Sequence, residues 1–190
     1  MQSINVIAQR MKAHYPKIEI NIDGIPRDFA AAQAMAAQDK FAFQDWAITL
    51  VGASPPTGET KKGADRGIDG LILFREQATF EDKHPKLKKI IVQVKGGGHG
   101  RGDIAKLKGD IERDNAPMGI FICLNEPTAE MKREASLAGE YKYSETVSFP
   151  KTQILSVRDF FDGRNAKLPS TRVNPFKTAE VKVDQSVLEI

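Results

Sequence analysis

Cysteine is nearly absent from this chain of 190 residues, in which Cys123 is the only one. A single cysteine excludes a disulfide within the chain. Cys123 lies in the apolar run Ile120-Phe-Ile-Cys-Leu, so we expect a buried core thiol rather than a nucleophile. Because a reducing compartment fits this cysteine usage, we expect a cytoplasmic protein.

Long apolar runs are also missing. None approaches the roughly 20 residues that a membrane-spanning helix needs. The N-terminus, Met1-Gln-Ser-Ile-Asn-Val-Ile, lacks the basic segment followed by an apolar one that is typical of a secretory signal. We therefore expect no membrane association. With 41% hydrophobic and 28% charged residues, the chain can form the packed core of one ordinary domain.

Positive charge is concentrated in the middle of the chain. Residues 61–113 contain 13 Lys or Arg and 8 Asp or Glu, whereas the remainder contains 15 and 17. A local excess of this kind can contact the phosphates of a nucleic acid. A solvated surface explains the charge equally well, so charge alone does not decide between the two interpretations.

Apolar periodicity and chain breakers predict an α/β domain over residues 1–163, with its core at about 17–163, and a C-terminal extension over 164–190. Phe41, Phe43 and Trp46 have near-helical spacing and are expected in the core. The strand–helix–strand order between Ile90 and Leu124 predicts a parallel crossover. The segments carrying Asp69 and Lys95 are expected to pair antiparallel, which gives a mixed β-sheet flanked by helices. Predicted helices cover 3–14, 28–38, 39–50, 103–116, 127–138 and 158–162, and predicted strands cover 17–23, 71–74, 90–95, 119–124 and 153–157.

The most informative short motif is Gln93-Val94-Lys95. Side chains alternate along a strand, so Gln93 and Lys95 point to the same face. A lysine beside an amide oxygen, with the carboxylate of Asp69 from a neighbouring strand, could hold a divalent cation and a phosphate. The pattern thus favours a phosphodiesterase site. Two simpler interpretations stay open: Asp69-Gly70 as a turn, and Lys95 as a charge that protects a sheet edge.

Three segments in this order resemble the PD-(D/E)xK nuclease superfamily and, within it, the Mrr-like restriction endonucleases: Gly63-Ala-Asp-Arg-Gly-Ile-Asp-Gly, Val92-Gln-Val-Lys and Gly119-Ile-Phe-Ile-Cys-Leu. The nuclease-like C-terminal domain of some site-specific DNA methyltransferases is similar in further segments: Gly24-Ile-Pro-Arg-Asp, Phe43-Gln-Asp-Trp-Ala and Gln153-Ile-Leu-Ser-Val. The resemblance covers roughly residues 17 to 178. It implies a restriction-endonuclease-like fold and a metal-dependent endonuclease.

The resemblance also implies roles for individual residues. Asp69 would be the principal ligand of Mg²⁺, or of Mn²⁺ in its place, with the Gln93 side-chain oxygen and the Val94 backbone carbonyl as further ligands. Lys95 would contact the scissile phosphate and orient the attacking water. The family often adds a glutamate from the preceding helix, where this chain has Gln44. The other auxiliary candidates are Asp45, Asp65 and His99.

Double-stranded DNA is the expected substrate, and the residues expected to contact it are Lys61, Lys62, Arg66, Arg101 and Lys106. A DNA methyltransferase is a further expected partner, and a homodimer is plausible because cutting two strands needs two sites or two events. The main hypothesis is a Mg²⁺-dependent endodeoxyribonuclease of a restriction-modification system. The alternative is a catalytically inactive DNA-binding or interaction module beside a methyltransferase, since positions 44 and 93 lack acids. An RNA-directed nuclease is a third possibility.

Overall fold

A computed structural model describes residues 24–56, 67–76 and 86–170, together with isolated positions nearer the N-terminus: Ile7, Met11, His14, Tyr15, Lys17 and Ile18. The predicted helix over 3–14 and the predicted strand over 17–23 lie almost wholly outside the described residues. The C-terminal extension is described only as far as Ser170.

The first two helices are α1 (Phe29–Gln38) and α2 (Lys40–Leu50). Both begin where the sequence predicts. The Asp28 carboxylate accepts from Ala31 N at 2.8 Å, and the Asp39 carboxylate caps α2 in the same way. These bonds satisfy N–H groups that have no partner within the helix. Among the described residues, no helix is long and apolar enough to cross a membrane.

The aromatic residues of α2 divide between core and surface. Phe43 and Trp46 are buried, as expected, with ring centroids 5.8 Å apart. Phe41 is 67% exposed, so its predicted core position is wrong. Residues two apart on a helix do not share a face, and Phe43 occupies the buried one.

The elements that follow α2 form a mixed sheet with helices around it, which confirms the predicted α/β class. In chain order the elements are β1 (Gly70–Arg75), β2 (Leu87–Lys95), α3 (Arg101–Arg113), β3 (Met118–Cys123), α4 (Ala129–Ser136), β4 (Glu140–Lys142), β5 (Ser148–Pro150), β6 (Thr152–Ser156) and α5 (Val157–Phe161). The strand order in the sheet is β1-β2-β3-β6, with β1 antiparallel to β2 and the other neighbours parallel. The parallel pairing of β2 with β3 confirms the predicted crossover.

The two faces of the sheet bury different helices. Ile90 and Val92 of β2 belong to the apolar cluster that contains residues of α1 and α2. Ile91 belongs to a second cluster, which includes Ile104 and Leu107 of α3. Because side chains alternate along a strand, Gln93 and Lys95 share the face of Ile91. The fold therefore places these two polar residues beneath α3.

Two local features differ from the sequence-based expectation. The helix predicted to start at Asp103 starts at Arg101, with Gly100 as its N-cap, and Asp103 is its third residue. The Asp103 carboxylate still serves the helix start, because it accepts from Gly100 N at 2.8 Å. The antiparallel pair β4–β5 was not predicted. Its three-residue strands are too short to show a periodic pattern.

Candidate functional site

The Asp69 carboxylate joins α2 to β2. Asp69 lies immediately before β1, and its backbone N–H donates to Val92 O at 2.9 Å. Its Oδ1 accepts from Gln44 Nε2 at 2.5 Å, and its Oδ2 accepts from Val94 N at 2.6 Å. The structure thus brings Asp69 and Gln44 together. Both carboxylate oxygens, however, face N–H donors.

The Gln93 side chain is bonded to a carboxylate on α3 that the sequence analysis missed. Gln93 is 5% exposed, and its Nε2 donates to Asp110 Oδ2 at 2.6 Å. Asp110 is 3% exposed, and its Oδ1 accepts from Arg113 Nη1 at 2.5 Å. The sequence contains a signal for this contact, because Asp110 lies next to Ile111 on the apolar face of the helix. A buried acid at such a position needs a polar partner.

Lys95 also reaches α3. Its Nζ lies 3.6 Å from Asp103 Oδ1, and its side chain is 46% exposed. Gln93 and Lys95 therefore share one face of β2, as strand alternation requires. The same Asp103 carboxylate bonds to the start of α3 through Gly100 N. Lys95 thus lies beside the N-terminal turn of α3.

Lys106 is the third polar residue of α3 that faces this region. A Cβ atom at Gly67 would lie 2.6 Å from Lys106 Nζ and 4.0 Å from Gln93 Nε2. The ammonium group therefore rests against Gly67, near the Gln93 amide. Asp103, Lys106 and Asp110 are three and four residues apart, which places them on one side of the helix. Together they form the part of α3 that lies next to Gln93 and Lys95.

The auxiliary candidates take other positions. Asp45 is exposed on α2. His99 has Nδ1 3.2 Å from Gly97 O and Nε2 3.3 Å from Glu126 O, so it links the glycine-rich loop to the β3–α4 connection. Arg101 is exposed and lies 3.5 Å from Glu134 of α4. The remaining candidates fall outside the described residues: Lys61, Lys62, Asp65 and Arg66.

Cys123 is a core residue, as expected. Its side chain is fully buried in β3. Burial raises the pKa of this thiol to about 12, and the nearby Asp159 and Glu126 carboxylates add to the effect. Only a thiolate is nucleophilic. This cysteine is therefore unsuited to covalent catalysis.

The described residues do not fit the predicted Mg²⁺ site. Mg²⁺ requires a compact set of oxygen ligands, and the described part of the chain contains no group of three or more His, Cys, Asp or Glu that could hold a metal ion. Asp69 is engaged by N–H donors. The Gln93 NH₂ group is held by the Asp110 carboxylate of α3. These residues therefore do not support a metal-dependent step.

A protein-family comparison bears directly on this arrangement. The model of the family described as NACHT-associated inactive Restriction Endonuclease 1 matches residues 56–151, just over half of the chain. The chain belongs to the NACHT-associated inactive restriction endonuclease 1 family. Comparisons with curated proteins and with solved structures found no match.

The family assignment supports the restriction-endonuclease-like fold and corrects the predicted activity. The matched region includes β1, β2, α3 and β3, and thus Asp69, Gln93 and Lys95. The family is described as inactive, so the expectation of an active Mg²⁺-dependent endonuclease is wrong. The geometry agrees with this description, since Asp69 bonds to α2 and to the β2 backbone and the Gln93 amide bonds to α3.

Proposed function

We propose that the chain is a catalytically inactive DNA-binding module that acts beside a NACHT partner domain. The restriction-endonuclease-like fold and the inactive family description support the first part, and the family name supports the second. The amides at positions 44 and 93, where acids would be expected in a metal-dependent nuclease, agree with an inactive module. A methyltransferase partner, a homodimer and cytoplasmic localisation stay predictions from the sequence.

DNA binding rests on a basic edge, defined here as Lys95, Gly97, Gly98, Arg101 and Lys106. All five residues are exposed, at the end of β2, in the loop that follows it or on the first turns of α3. A Cβ at either glycine would meet nothing within 4 Å, so the backbone there is open to a bulky ligand. Residues 86–113 contain eight Lys or Arg and three Asp or Glu. Lysine, arginine and open backbone N–H groups are the usual partners of DNA phosphates.

The ion pairs of the basic edge do not prevent phosphate binding. Lys95 lies 3.6 Å from Asp103, and Arg101 lies 3.5 Å from Glu134. These cationic side chains are 46% and 66% exposed. Exposed pairs of this kind contribute only about 0–1 kcal/mol, so a phosphate can compete for the cation. The ammonium group of Lys106 lies beside Gly67. Substitution of Lys106 is therefore the most direct test of the basic edge.

Binding of a fluorescein-labelled duplex, followed by anisotropy with EDTA present, tests the proposal. We expect metal-independent binding that weakens steeply as salt rises, because phosphate contacts release counterions. Lys106→Ala should weaken binding about three- to tenfold and reduce the slope of log K against log salt by about 0.9.

Lys142→Ala is the matched control, since it removes an exposed lysine from β4. The neighbouring Tyr141 packs against Phe74, with ring centroids 6.2 Å apart, towards the end of β1 that is remote from Asp69. Equal affinities for Lys106→Ala, Lys142→Ala and wild type would reject the basic edge. No binding to duplex at low salt would reject DNA binding altogether and favour a module that contacts proteins alone.

A further inference from the structure

The contact between α3 and β2 combines buried apolar side chains with a buried pair of polar ones. Its apolar part, formed by Ile91, Ile104 and Leu107, is fully buried. Next to this apolar part lies a hydrogen bond between two buried side chains, from Gln93 Nε2 to Asp110 Oδ2 at 2.6 Å. Buried polar groups are retained at low energetic cost only when their partners match in donor and acceptor character.

The match depends on which of the two side chains carries the amide. An ionised carboxylate can only accept hydrogen bonds, whereas an amide NH₂ donates. In this chain Gln93 is the donor and Asp110 the acceptor, and Arg113 donates to the other Asp110 oxygen. Glutamate at position 93 would place two acceptors face to face at positions that are 5% and 3% exposed. Two buried carboxylates at such a distance repel each other strongly.

Arg113 fixes the direction in which the Asp110 carboxylate points. Its Nη1 donates to Asp110 Oδ1, and its Nε donates to Asp114 Oδ1 at 3.1 Å. Asp114 is in turn bonded to Lys89 of β2 at 3.3 Å. The chain of contacts thus starts and ends on β2, and it leaves Asp110 Oδ2 directed at Gln93.

We infer that Asp110 requires an amide at position 93, so that the contact between α3 and β2 depends on a matched pair of one buried carboxylate and one buried amide. An acid at position 93 would break this contact unless Asp110 changed with it. This inference goes beyond the proposed function, because it concerns the fold of the site and does not depend on DNA binding.

An exchange of acid and amide tests the inference. The variants are Gln93→Glu, Asp110→Asn, and the exchange that combines both. In the exchange, the NH₂ group introduced on α3 could donate to the carboxylate introduced on β2, while the new amide oxygen still accepts from Arg113. We expect Gln93→Glu to lower Tm by roughly 5–10 °C, and the exchange to recover at least half of that loss.

Gln33→Glu is the matched control, because it adds the same charge at an exposed position of α1. It should shift Tm by less than about 2 °C. The inference is overturned if Gln93→Glu unfolds at the wild-type temperature, or if the exchange is no more stable than Gln93→Glu. Should Gln93→Glu not fold, a cooperatively folding exchange variant would support the inference, and an exchange variant that also failed to fold would overturn it.

Discussion

Replacing Asp69 distinguishes a structural role of its carboxylate from a catalytic role. In a metal-dependent nuclease, this acid holds an ion, and its removal abolishes cleavage while leaving stability unchanged or raised. In this chain the carboxylate accepts from Gln44 Nε2 at 2.5 Å and from Val94 N at 2.6 Å. Asp69→Ala would remove both acceptors at once. We therefore expect the variant to be destabilised.

The magnitude follows from the two donors that lose their partner. A buried donor left without an acceptor costs about 1–3 kcal/mol. Both bonds are only partly buried, so we take the lower part of that range for each, or about 2–4 kcal/mol together. For a protein of this size, each kcal/mol shifts Tm by about 2–4 °C. The expected decrease in Tm is therefore roughly 4–16 °C.

Thermal and urea unfolding followed by circular dichroism measure this decrease. Asp45→Ala provides a matched control, since it removes an exposed carboxylate from the same helix that carries Gln44. The control should unfold within about 1 °C of wild type. Duplex binding by folded Asp69→Ala should stay at the wild-type level, because Asp69 is not part of the basic edge. If Asp69→Ala and Asp45→Ala are equally stable, the structural role of this carboxylate is refuted.

Two further predictions concern single side chains. Because burial raises the pKa of Cys123 to about 12, the thiol should not react with a disulfide reagent at pH 8 until urea unfolds the protein, and rapid modification of the native protein would contradict this. The hydrogen bond from Lys108 Nζ to Glu134 Oε1, at 2.7 Å, lowers the pKa of that carboxyl below its ordinary 4.5. Ionised Glu134 thus stabilises the fold above that value, and the contribution is lost as the pH falls through the folded-state pKa. The free energy of unfolding, measured in urea, should decline below about pH 4.5 in wild type and less steeply in Glu134→Gln. Glu130→Gln is the control, because Glu130 is exposed on the same helix, and it should decline as wild type does.

The parts of the fold that could be predicted depend on local sequence. Asp28 and Asp39 cap α1 and α2 through bonds to residues two or three positions along the chain. The strand that ends at Lys95 follows from its apolar run, and its parallel pairing with β3 follows from the helix between them. Such features need no knowledge of distant residues.

The parts that could not be predicted join residues far apart in sequence. Gln44 and Asp69 are separated by 25 positions, and Gln93 and Asp110 by 17. The motif shows that Gln93 carries an amide but not which end of that amide faces the site. That choice depends on the α3 carboxylate, whose position follows from the packing of α3 on the sheet.

The sequence by itself determined the α/β class, the helix starts in α1 and α2, and the placement of Gln93 and Lys95 on one face of a strand. Periodicity and short-range capping are sufficient for each of these. Only the tertiary structure decided what that face contacts. It is α3, whose Asp110 accepts from the Gln93 amide and whose Asp103 lies beside Lys95, because a buried amide and a buried carboxylate of opposite hydrogen-bonding character satisfy each other.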